Sequence, residues 1–167
     1  LFATRLLLDA VSARVPGEIT IISPDAGGVE RARAYAKRID ANLAIIDKRR
    51  ERANVSEVMK IIGDVDGATC VIVDDIVDTA GTLCQAARSL MDEGAAAVYG
   101  AITHPVLSGP ALKRIAESPL RELIVTDTIP LRPEAADTGK LHVVSVAAQI
   151  GEAIRRINNE ESVSSLF

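Results

Sequence analysis

Short aliphatic runs alternate with amphipathic segments along this chain, and that alternation constrains its fold more than any other feature. Residues 19–22 (ITII), 43–46 (LAII), 58–62 (VMKII), 70–73 (CVIV), 97–103, 123–125 and 143–146 predict strands. Residues 1–14, 29–39, 83–93, 108–117 and 147–157 predict helices. On the first helix the apolar residues are Phe2, Leu6, Leu7, Ala10 and Val11, and on the last, Ile150, Ile154 and Ile157 are expected to point inward. Pro16 and Gly17 end the first helix, and Gly94 closes the third. Residues 48–54 (KRRERAN) have four basic side chains in seven and no apolar period, which predicts an exposed loop. Uninterrupted apolar strands between helices are buried on both faces. The expected class is therefore α/β, a mainly parallel sheet flanked by helices. A length of 167 residues suits one such domain, expected over residues 1–161, with 162–167 as a tail.

Composition removes several classes of function. Aromatic rings number four (two Phe, two Tyr, no Trp), too few for stacking platforms that bind single-stranded nucleic acid. Lys and Arg total 19 against 23 Asp and Glu, so there is no general cationic footprint, and no nucleic-acid partner is expected. No apolar run reaches the roughly 18 residues needed to span a bilayer, and no membrane partner is expected. No export signal is visible, and Cys70 and Cys84 lie in apolar segments as expected for reduced core thiols. A cytoplasmic location follows as the expectation. The chain opens on Leu1 and not on Met, and is read as part of a longer product.

Ligands in parallel sheets bind at the carboxyl ends of the strands. The most polar strand-to-helix connections follow Ile22 and Val73. After Val73 comes DDIVDTAGT, residues 74–82. Burial of a carboxylate without a partner costs several kcal/mol, so Asp74 and Asp75 must face solvent, a metal or hydroxyl groups. Asp78, Thr79, Ala80, Gly81 and Thr82 then turn into a helix. Small residues let the backbone approach a ligand, and the helix N-terminus favours a phosphate. A lone Asp-Thr would be an ordinary helix cap. Paired acids, two threonines and a glycine in one turn argue for more.

SPDAGG, residues 23–28, also joins a strand to a helix. Alone it is an ordinary turn. Its glycines can also expose amides to an anion, and Asp25 offers oxygen to Mg²⁺. The run KRRERANVSEV, residues 48–58, would alone be a solvated face. Lys48, Arg49, Arg50 and Arg52 can instead close over a polyphosphate, where transfer asks mainly for positioning and electrostatics.

The 74–82 stretch resembles the phosphoribosyl-diphosphate signature of type I phosphoribosyltransferases. SPDAGG, IIDKRRERANVSEV and VDDIVDTAGTL, in this order and spacing, resemble the ribose-phosphate pyrophosphokinase family. So do THPVLSG (103–109), TDTIPL (126–131) and the closing RRINNEESVSSLF. The resemblance implies a type I phosphoribosyltransferase-like fold. It implies a cytoplasmic, homo-oligomeric enzyme of nucleotide biosynthesis. That enzyme moves the diphosphoryl group of ATP to the C1 hydroxyl of ribose 5-phosphate, with Mg²⁺, and releases AMP.

By the same resemblance, Asp74 and Asp75 meet the ribose, and Asp78, Thr79, Ala80, Gly81 and Thr82 hold the 5-phosphate. Asp25, Ala26, Gly27 and Gly28 hold the diphosphate, with Asp25 as metal ligand. Lys48 and Arg50 are the catalytic cations. Glu51 departs from the Pro common in the family and places a negative charge beside Arg50. Family members are about twice this length, and the chain resembles their C-terminal half. The implied partners are ATP, ribose 5-phosphate and a missing N-terminal domain that supplies most of the adenine site, a metal-binding His and oligomer contacts. His104 and His142 are read as structural, not as replacements for that His. Residues 162–167 are expected to pack on the absent domain. The chain alone is expected to bind sugar phosphate and turn over poorly. Two other readings remain: another type I phosphoribosyltransferase using phosphoribosyl diphosphate, and a non-catalytic regulatory subunit of the synthetase.

Overall fold

A computed structural model describes residues 1–49 and 58–166 of the chain. After helix α1 (Thr4–Arg14) come β1 (Ile19–Ser23), α2 (Val29–Ile39), β2 (Asn42–Arg49) and β3 (Val58–Ile62). Then follow β4 (Thr69–Val77), α3 (Gly81–Asp92), β5 (Ala97–Pro105), α4 (Ala111–Glu117), β6 (Leu120–Thr126), β7 (Leu141–Val144) and α5 (Ala147–Asn158). One sheet of seven strands runs in the order β3-β2-β1-β4-β5-β6-β7. Every neighbouring pair is parallel except β2 and β3.

Strand β4 shows why the sheet is covered on both sides. Its residues alternate between faces, as period two requires. Cys70 and Ile72 join a core with Leu83, Ala87 and Leu90 of α3 and Ile115 of α4. Val71 and Val73 join the opposite core with Leu7 and Val11 of α1 and Ala32 and Tyr35 of α2. Each fully buried Leu or Ile contributes about 1.5–3 kcal/mol. Cys70 and Cys84 are buried free thiols, as expected, and burial pushes Cys70 up to about 11. Among the described residues no helix is long and apolar enough to cross a membrane.

The structure departs from the sequence expectation at β2, at α5 and at the end of β4. Strand β2 does not stop at Ile46 but continues through Asp47, Lys48 and Arg49, residues partly assigned above to a loop. Antiparallel β3 supplies the ladder, pairing Asp47 with Lys60, Lys48 with Met59 and Arg49 with Val58. Past Ile45 the strand outruns β1 and pairs with β3 alone.

The second departure is α5. Ile150, Ile154 and Ile157 are 45%, 62% and 66% exposed, and only Ala153 of this helix is buried. Spacing put the three isoleucines on one face, but the helix lays its Ala153 side on the domain. The tail turns back beside α5, where Arg156 Nη1 donates to Ser165 Oγ (2.5 Å) and to the Ser162 carbonyl (3.2 Å). Gln149 Nε2 donates to the carbonyls of Phe2 and Leu166.

Candidate functional site

The strand order reverses between β1 and β4. From β1 the chain moves to β2 on one side, and from β4 it moves through β5, β6 and β7 on the other. Such a switch point opens a crevice at the carboxyl ends of the two strands. Both glycine-bearing turns singled out in the sequence leave from there. A cleft of about 240 Å³ lies between them, lined by Pro24 and Asp25 from the first and by Asp74 and residues 76–83 from the second.

The first turn is held by its own side chains. Ser23 Oγ donates to the Asp25 carbonyl (2.7 Å), and the Gly28 amide donates to Asp25 Oδ1 (2.9 Å). A Cβ on Gly28 would sit 2.9 Å from Ser23 Oγ, so the closed turn needs glycine there. Asp25, Ala26 and Gly27 are exposed, and Gly28 is buried.

Asp74 and Asp75 lie inside β4 and not after it. Both meet Arg31 of α2: Nη1 is 2.5 Å from Asp74 Oδ1, and Nη2 is 2.9 Å from Asp75 Oδ2. The Asp75 amide also donates to Asp74 Oδ1 (2.8 Å). The two acids are driven apart in affinity for the proton. Burial raises Asp74 above the usual range, against the pull of Arg31. Burial also acts on Asp75, but the hydrogen bond to Asp74, the Arg31 charge and nearby amides outweigh it and hold Asp75 low.

Beyond β4 the second turn is clamped from outside. Ser108 donates from its hydroxyl to the Asp78 carboxylate and from its amide to the Asp78 carbonyl. Arg114 Nη1 of α4 donates to the Thr79 carbonyl (2.9 Å). Ala80 adopts a left-handed conformation (φ 57°), and α3 starts at Gly81 with no side-chain cap. The plain capping role for Asp78 or Thr79 is therefore not what these side chains do. The first intrahelical bond runs from the Cys84 amide to the Ala80 carbonyl, so the amides of Gly81, Thr82 and Leu83 are left for a ligand or water. The helix dipole adds partial positive charge at the same point. The cleft thus has an acidic end, able to accept from hydrogen-bond donors, and an amide-rich end suited to an anion.

The candidate residues Asp25, Asp74, Asp78, Thr79, Ala80, Gly81 and Thr82 therefore line one cleft. Ala26, Gly27 and Gly28 complete the first turn beside it. Lys48 is placed by its backbone in β2, while its side chain, with Arg50 and Glu51, lies outside the described residues. Arg31 and Arg114 were not among the sequence candidates. Nothing near either residue in sequence marks it, because its partners lie 43 and 35 positions away. His104 Nδ1 is engaged with Thr128 Oγ1 at 2.9 Å. Among the described residues no group of three His, Cys, Asp or Glu is placed to cage a metal. The Asp25 carboxylate is exposed and accepts from the Gly28 amide through Oδ1, so its other oxygen could meet a hard divalent ion.

Residues 50–167 match the phosphoribosyl synthetase-associated domain. The chain belongs to that family. It is 60% identical over 167 residues to the ribose-phosphate pyrophosphokinase of Bordetella pertussis, covering all of this chain and 54% of that protein. To the enzyme of the same name from Xanthomonas axonopodis it is 59% identical over 168 residues, covering 99% and 53%. The chain spans about half the length of the curated relatives it matches. Phosphoribosylpyrophosphate synthetase from Mycobacterium smegmatis superposes with a TM-score of 0.85 at 35% identity, over 95% of this chain and 51% of that one. Adenine phosphoribosyltransferase from Thermoanaerobacter pseudethanolicus shares the fold, with a TM-score of 0.55 at 19% identity over 74% of this chain and 76% of that one. The pyrophosphokinase resemblance read from the three motifs and the α/β class are both borne out.

Proposed function

We propose that the full-length protein carrying this chain is a ribose-phosphate diphosphokinase, in which this chain holds ribose 5-phosphate. The observation that carries the reading is the shared cleft at the β1/β4 switch point, acidic at one end and amide-rich at the other. Ribose hydroxyls donate to Asp74 and Asp75. The 5-phosphate lies against the turn of Asp78, Thr79, Ala80, Gly81 and Thr82, at the start of α3. The diphosphate lies on Asp25, Ala26, Gly27 and Gly28. Asp25 would hold Mg²⁺, which would supply neutralising charge for the transferred group.

The C1 hydroxyl oxygen bonds to the β-phosphorus of ATP, the bond from that phosphorus to the α,β-bridging oxygen breaks, and AMP leaves. The hydroxyl proton goes to solvent. Lys48 and Arg50 offset negative charge in the transition state. The rest of the full-length protein is read as an N-terminal domain that supplies the adenine site, with the tail from Ser162 packing against it. The assembled protein is read as a cytoplasmic homo-oligomer. The test is AMP formation by the full-length protein from ATP, ribose 5-phosphate and Mg²⁺. Lys48→Ala should remove turnover while ribose 5-phosphate still binds. Release of diphosphate from phosphoribosyl diphosphate and a nucleobase, with no AMP from ATP, would replace this reading with a phosphoribosyltransferase.

A further inference from the structure

Neighbouring residues of a regular strand point to opposite faces of the sheet. Asp74 and Asp75 are neighbours in β4, yet both reach one guanidinium. We propose that Arg31 is a positioning residue for the sugar, its two terminal nitrogens holding Asp74 and Asp75 as one convergent pair of acceptors for two adjacent hydroxyls. The inference rests on the ribose reading of the cleft.

Three features support it. The geometry is a bridge and not a single ion pair, since Nη1 takes Asp74 Oδ1 and Nη2 takes Asp75 Oδ2. A planar guanidinium can span two carboxylates in this way, and an ammonium, as a point charge, cannot do so with the same fixed spacing. Arg31 also consumes only part of the acids' capacity. Each carboxylate has about four acceptor positions, so oxygen lone pairs are left over for hydroxyl donors. Finally, Arg31 stands in the first turn of α2, which begins at the first glycine turn. A Cβ built on Gly28 would lie 3.7 Å from Arg31 Nη1. Arg31 is thus the side chain that ties the first turn to the acids of β4. Without it, two adjacent carboxylates repel, rotate apart or share a proton, and a protonated or splayed pair accepts poorly from hydroxyls.

An ordinary surface ion pair would affect stability slightly and would not distinguish between ligands. The test therefore varies the ligand as well as the protein. Calorimetric titrations of the 167-residue chain use ribose 5-phosphate, 2-deoxyribose 5-phosphate and inorganic phosphate. The variants are Arg31→Ala and Arg31→Lys, each checked by thermal melting. Arg31→Ala is expected to weaken ribose 5-phosphate about tenfold, the deoxy sugar about threefold, and phosphate less than about twofold. Arg31→Lys, which keeps charge but cannot bridge, should recover only part of the loss. Equal losses for all three ligands, or no loss for ribose 5-phosphate, would overturn the inference. So would full recovery by Arg31→Lys. Failure of the unsubstituted chain to bind ribose 5-phosphate would overturn the ribose reading of the cleft and this inference with it. Binding by the unsubstituted chain with Arg31→Ala indistinguishable would overturn the inference alone.

Discussion

Arg114 reaches from α4 to the turn before α3, its Nη1 donating to the Thr79 carbonyl across 2.9 Å. The contact turns that carbonyl outward, toward α4. It also leaves positive charge beside Gly81, where an added Cβ would lie 3.4 Å from the same nitrogen. Ser108 holds Asp78 one residue earlier. The conformation of the amide-rich turn therefore depends on a helix that belongs to neither glycine motif.

Replacing Arg114 by Ala should loosen this turn without unfolding the domain. Arg114 is exposed, so the stability loss should be small, about 1 kcal/mol by denaturant titration. Affinity for ribose 5-phosphate should fall about fivefold to tenfold, which is what about 1–1.4 kcal/mol corresponds to in calorimetry. Unchanged affinity would show that the turn holds its shape without the clamp.

Gly63 closes β3 against β2 and should not tolerate a side chain. Its φ is +119°, and an added Cβ would lie 2.7 Å from the Ala44 Cβ and 3.0 Å from the Ala44 Cα. Part of that contact is backbone, so a rotamer change cannot relieve it. Gly63→Ala should cost about 2 kcal/mol or more in urea unfolding, from positive-φ strain and overpacking together. A cost near zero would mean that β3 can shift without consequence for the sheet edge.

Acid should loosen α5 before it unfolds the core. Hydrogen bonds from Arg155, and then from Arg156, hold the Glu152 carboxyl down to about 2, from an ordinary 4.5. A carboxylate depressed in the folded state stabilises above its unfolded value and loses that contribution as pH falls. The support given by Glu152 should therefore be complete above about pH 4.5 and vanish toward about pH 2. Carboxyl NMR of Glu152, with amide exchange along α5, checks both points. A Glu152 midpoint at the ordinary value would contradict the pairing.

Much of this architecture was legible because it rests on local pattern. The runs ITII and CVIV are apolar at every or nearly every position, and β1 and β4 are the adjacent strands whose ends define the crevice. DDIVDTAGT announced itself because carboxylates and small residues directly follow the run CVIV, too apolar for an exposed strand, although the first two acids prove to lie inside β4. What could not be read depends on partners distant in sequence. Arg31 looks like any charged residue of α2 until β4 is placed beside it. The extension of β2 through Lys48 required β3 as a ladder partner. Ile150, Ile154 and Ile157 share a face by spacing, but spacing does not say which side of α5 meets the domain. Periodicity reports which residues lie together, and tertiary packing decides what covers them.

The β1/β4 cleft is proposed to take a sugar phosphate. The most direct measurement is ³¹P NMR of ribose 5-phosphate titrated with the 167-residue chain, alongside Asp78→Ala. A shifted or broadened phosphate resonance is expected with the unsubstituted chain, and a loss of that change in the variant. A resonance that does not move with the unsubstituted chain, or that moves equally with Asp78→Ala, would contradict it.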